Sequence, residues 1–140
     1  MSSSPASIAR KGRQSGSSLV EICLVGTVLI FLILGVMEFG IIGSIANSIS
    51  YSASRAARYA AVRGSSSGHP ATVANIQNVA TGSMLAFNPS GVTVTVNWTP
   101  DNKPGSTVQV QVSYAYKPLL VPISAAQFTL ASTAQQIIIQ

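Results

Sequence analysis

The chain of 140 residues is one domain's worth of sequence, 47% hydrophobic and only 8% charged, against roughly 25% charge in a soluble domain; that shortage points to a membrane or assembled protein. Eight Lys and Arg, three Asp and Glu and one His supply no carboxylate pair for general acid–base work, no nucleophile–base–orienter set and no metal cluster. No basic stripe is interleaved with exposed aromatics, as a nucleic-acid partner would require, so neither an enzyme nor a cofactor-dependent or nucleic-acid-binding protein is expected.

The N-terminus is basic, with Arg10, Lys11 and Arg13 ahead of the stretch "GSSLVEICLVG". Residues 22–37 carry no charge and, as a helix, would rise about 24 Å. Residues 19–39 would rise about 31 Å, matching a hydrocarbon core about 30 Å thick. Glu21 and Glu38 then fall near opposite interfaces, where a carboxylate costs far less than at the midplane. Basic residues close before the span, and none after it until Arg55, predict a cytoplasmic N-terminus with the rest across the membrane.

Two cleavage readings compete. An ordinary signal peptide would be cut at "SIA", residues 44–46, but the apolar core is too long for one and Glu38 interrupts its end. A cut after Gly16, before Ser17, keeps the apolar helix in the mature chain and makes Glu21 its fifth residue. This reading divides the chain into a basic leader (1–16), a transmembrane helix segment (17–46) and an extracytoplasmic α+β domain (47–140). The single cysteine, Cys23, cannot form an intramolecular disulfide and is expected to be a small buried apolar side chain.

Beyond the span, Ile42, Ile45, Ile49, Ala53, Ala56 and Ala60 recur at steps of three and four and mark one apolar helical face. One helix of about 70 Å is expected from about residue 17 to residue 63. No proline interrupts it, although Gly40 or Gly43 could bend it. Arg55 and Arg58, one turn apart, suit a solvated face, acidic partners or lipid headgroups. "GSSSGHP" ends the helix, and His69 is a loop histidine. Residues 71–87 have helical spacing through Val73, Ile76, Val79, Ala80 and Met84, with a stop at Asn88-Pro89.

The period then changes to two. "VTVTVNW" and "TVQVQVSYAYK" alternate apolar and polar residues around a turn cluster, which predicts an antiparallel hairpin with one buried face. Residues 128–139 offer a third strand. The expected fold is α+β: a long N-terminal transmembrane helix, then a small domain with a second helix and a three-stranded antiparallel sheet. Both helices should cover the face of Val94, Val96, Val110, Val112 and Tyr114.

Four stretches, in order, resemble the TadE-like proteins, the minor pilins or pseudopilins of the tight-adherence (Tad, Flp-type) pilus system. They are the basic leader with glycine and "VE", the exit "LGVMEFG", the helix "ASRAARYAAVRG", and "VQVSYAYKPLLVPI". The chain departs from the family in carrying Thr27 where many members have a proline. It also has Ile22 where the shorter major pilins have an aromatic. The resemblance implies a pilin-like fold and assembly of a pilus supporting surface adhesion. It implies a prepilin peptidase, other pilins, Tad assembly proteins and membrane lipid as partners, and a bacterial inner-membrane location with the C-terminal domain periplasmic. Cleavage between Gly16 and Ser17 would create an α-amine, positive at neutral pH, which Glu21 of a neighbouring subunit could face during assembly. The alternative is an unprocessed single-pass binding module of a secretion system.

Overall fold

A computed structural model describes residues 14–84, 91–118 and 127–140. The basic leader residues up to Arg13, the Asn88-Pro89 helix stop and the Lys-Pro-Leu-Leu turn beyond Pro118 lie outside the described residues. The chain forms two compact units, Met1–Met37 and Glu38–Gln140.

Helix α1 (Gln14–Ala61) belongs to both units. Its helical backbone continues through Gly26, Gly35, Gly40 and Gly43, as expected where no proline removes a backbone donor. In the first unit its large apolar side chains from Leu19 to Met37 are exposed, apart from the half-buried Leu34. In the second unit the predicted stripe turns inward: Ile45, Ile49, Ala53, Ala56 and Ala60 are buried, together with Ala57 and Ala61. Residues 38–46, which the sequence reading grouped with the membrane segment, therefore pack with the second unit, where Ile41 and Ile42 also lie against the core.

Helix α2 (Val73–Gly82) starts at Thr72, whose side chain accepts from the Asn75 N–H at 3.2 Å, satisfying one of the helix's free donors. It is shorter than the periodicity suggested, because Gly82 and the cap at Ser83 end it. Ile76 and Ala80 are buried, while Val73, in the first turn, is exposed. Ser52 of α1 ties the two helices together: its buried Oγ donates to the Ala80 carbonyl at 2.6 Å. Ser52→Ala should lower stability by about 1 kcal/mol, read as a shift in urea midpoint with unchanged slope.

Strands β1 (Val92–Thr99), β2 (Thr107–Tyr116) and β3 (Phe128–Ile137) form one antiparallel sheet in the order β1-β2-β3. The register places Val94 opposite Val112 and Val96 opposite Val110, so the alternating valines share a face. Val94, Val108, Val110, Val112 and Tyr116 are buried, with Val96 and Tyr114 packed against them. Thr93, Thr95, Asn97 and Gln111 are exposed on the opposite face. The α+β architecture is thus as expected, with α1 and α2 contributing to the same core as the sheet's valine face. Each fully buried valine or isoleucine contributes about 1.5–3 kcal/mol.

The β1–β2 loop is closed by Asp101. Its Oδ1 accepts from the Ser106 hydroxyl at 2.6 Å and the Lys103 N–H at 3.1 Å, and Lys103 Nζ lies 3.3 Å from Oδ2. Gly105 follows at φ +90°, a conformation that favours glycine. The Ser106 hydrogen bond is the main cause holding the Asp101 carboxyl below its ordinary 3.8, aided by Lys103 and opposed by partial burial. A lowered folded pKa gives stability that is complete above the unfolded value and is lost as pH falls through the folded one. Wild type should therefore lose more melting temperature than Asp101→Asn as pH falls below about 4. Parallel acid limbs in a melting series would remove this role for Asp101.

Candidate functional site

A helix buried inside a protein core would hide its apolar residues, and the first unit does the opposite. Leu19 is 63% exposed and Phe31 61% exposed, so lipid or other helices must cover this surface. The segment is long and apolar enough to cross a membrane once. Cys23 is exposed on it, so its thiol belongs to the same surface that lipid or other helices would cover.

The residues singled out from the sequence lie at the start of this helix. Gly16 and Ser17 are helical, close behind its first residue, Gln14. Ser17 and Glu21 are one turn apart and share a face, with Cβ atoms about 5–6 Å from each other. Ser18, Glu21, Ile22, Val25 and Gly26 line an open groove along one stripe of the helix. A Cβ at Gly26 would meet nothing within 4 Å, leaving the stripe thin enough for another helix to approach closely. Nearby, Thr27 Oγ1 donates to the Cys23 carbonyl at 2.7 Å, which satisfies its hydroxyl inside the apolar segment. Such a groove, with one carboxylate at its end, can receive a helix bearing a positive group.

Residues 16–58 match the TadE-like protein family. No curated protein and no solved structure matches the chain. The TadE-like segment takes in the exposed apolar surface, the Glu21 groove and most of the buried stripe of α1. It stops before α2 and the sheet.

Glu38 also lies within the TadE-like segment, and sequence reasoning missed what it does. Read as an interfacial carboxylate, it is in fact 6% exposed and accepts a hydrogen bond from the Tyr116 hydroxyl at the end of β2. The signal was faint: a tyrosine closing the inward face of β2, and a glutamate at the end of an apolar run. Nothing local couples positions 78 residues apart.

Proposed function

We propose that this chain is a minor pilin, or pseudopilin, of a Tad (Flp-type) pilus. In this reading a prepilin peptidase cuts between Gly16 and Ser17. The helix anchors the chain in the bacterial inner membrane with its N-terminus cytoplasmic and the sheet-bearing unit periplasmic. The subunit is then assembled with other pilins and Tad proteins into or beneath a structure that supports surface adhesion. Its role is structural, not enzymatic. The observation that carries the reading is the TadE-like match on a helix whose first half exposes nearly all its large apolar side chains, with a carboxylate one turn from the expected cut.

Glu21 has a defined role in this scheme. The new amine at Ser17 is cationic at neutral pH, and an ion left alone in low dielectric is heavily penalised. Pairing Glu21 of one subunit with the amine of its neighbour removes that penalty at one register only. Glu21→Ala should therefore abolish or strongly reduce pilus assembly in cells while leaving the membrane level of the protein unchanged. Normal pili in that strain would rule out the pairing. The mass of the purified protein tests the processing step: it should lack residues 1–16. An intact leader favours an unprocessed membrane-anchored module of a secretion system.

A further inference from the structure

The outward face of α1 in the second unit carries charge that the chain itself cannot neutralise. Arg55 and Arg58 are exposed and line a shallow cleft of about 250 Å³ with Tyr51 and Ser54. These four positions fall on one helical stripe. Arg63, which follows, is engaged: its guanidinium lies 4.4 Å from the Tyr59 ring centroid and donates to the Tyr59 hydroxyl at 2.5 Å.

The chain has three acidic residues, and each is otherwise placed. Glu38 is buried with Tyr116. Asp101 is held by Ser106 and Lys103. Glu21 sits in the apolar segment of the other unit. The second unit of another copy would bring the same acidic side chains, so it offers no uncommitted side-chain carboxylate to this cleft. Tyr51 beside the two arginines is 60% exposed, and tyrosine and arginine are among the residue types enriched where binding energy concentrates at protein interfaces.

We propose that the Tyr51–Ser54–Arg55–Arg58 face docks a carboxylate-bearing segment of a different protein. Arg55 and Arg58 are one turn apart, so the complementary partner presents two carboxylates about 5–6 Å apart, as on one turn of a helix. Each carboxylate can accept two parallel N–H bonds from a guanidinium, and an apolar group between them can cover the Tyr51 ring. Lipid is the poorer occupant. Arg55 lies about 26 Å of helix rise beyond Glu38, whereas the headgroup layer adds only about 5–7 Å outside the hydrocarbon. The inference rests on the charge inventory, the cleft and the membrane-spanning helix, and does not depend on the pilin reading.

The test uses the full chain in nanodiscs of uncharged phosphatidylcholine. The probe is a fluorescein-labelled alanine-based helical peptide with one Glu-x-x-x-Glu pair, read by anisotropy at low salt beside its Gln-x-x-x-Gln counterpart. The Glu peptide should bind about ten-fold more tightly than the Gln peptide. Arg55→Gln with Arg58→Gln should remove that preference, whereas Lys103→Gln with Lys117→Gln, an equal loss of charge, should leave it within about two-fold. Melting curves that match wild type confirm that the exposed arginines were changed without unfolding. The proposal is overturned by equal losses in both double variants, or by no preference for the Glu peptide. It is also overturned if the arginine pair proves necessary only for binding phosphatidylglycerol vesicles.

Discussion

Replacing Tyr116 with phenylalanine should destabilise the sheet-bearing unit by about 2–3 kcal/mol. The ring and its packing remain, so the change isolates the hydroxyl. That hydroxyl donates to Glu38, and both residues are buried, at 3% and 6% exposure. Leaving a buried polar group without its partner costs about 1–3 kcal/mol. Glu38→Gln keeps an acceptor for Tyr116, so it should cost less, about 1 kcal/mol. Denaturation of the two variants in the same detergent separates these contributions. For a domain of about 100 residues, each kcal/mol moves the melting temperature by about 4–8 °C, so Tyr116→Phe should be plainly resolved. A Tyr116→Phe midpoint equal to wild type would mean that other groups satisfy Glu38 fully. The contact lies where α1 enters the second unit and β2 ends, so its loss should also loosen how α1 is seated on the sheet.

What the sequence made legible was periodic. The step of three and four through Ile45, Ile49, Ala53, Ala56 and Ala60 located the buried stripe of α1. The step of two through Val108, Val110 and Val112 located the inward face of β2. Periods survive in sequence because a regular element repeats its burial at fixed intervals. Contacts between elements leave no such trace. The Ser52 bond to Ala80 joins residues 28 apart through a serine that looks, in sequence, like any polar break in an alanine-rich helix. Glu38 was incompletely read for a related reason: hydropathy places it at the end of the apolar run, while its burial depends on a strand that forms far along the chain. Gly16, Ser17 and Glu21, the proposed processing and assembly residues, are close in sequence and all lie within the first two turns of one helix. Cys23 fits the apolar surface of α1 by side-chain type, but it lies outside the core cluster.

Gly64→Ala should cost about 3 kcal/mol or more, although in sequence the glycine looks like a simple helix terminator. The position is crowded rather than conformationally special. A Cβ there would run into the Gln140 backbone oxygen and the Ile138 side chain. Neither can yield cheaply. The C-terminal segment is fixed by the Ile139 N–H to the Ala61 carbonyl at 2.9 Å and by the Ile138 N–H to the Ser106 carbonyl at 2.8 Å. Ile138 itself is 1% exposed. On the other side, the Ser65 N–H donates to the Asn102 carbonyl at 2.8 Å, and the Ala71 N–H to the Arg63 carbonyl at 2.8 Å. The end of α1, the β1–β2 loop and the end of the chain therefore meet around one residue without a side chain. Relief requires either pulling the C-terminal segment off α1, which exposes Ile138 and unpairs backbone donors, or shifting the loop that Ser65 holds. Each route forfeits buried contacts and hydrogen bonds together, so the cost should exceed that of simple overpacking. Gly68 provides the control within the same loop: a Cβ there meets nothing within 4 Å, and Gly68→Ala should change stability by less than about 1 kcal/mol, in the stabilising direction if the backbone there suits alanine. Thermal melts of the two variants in one detergent decide the matter. A Gly64→Ala midpoint within a few degrees of Gly68→Ala would show that the C-terminal segment yields freely and does not lock α1 to the sheet.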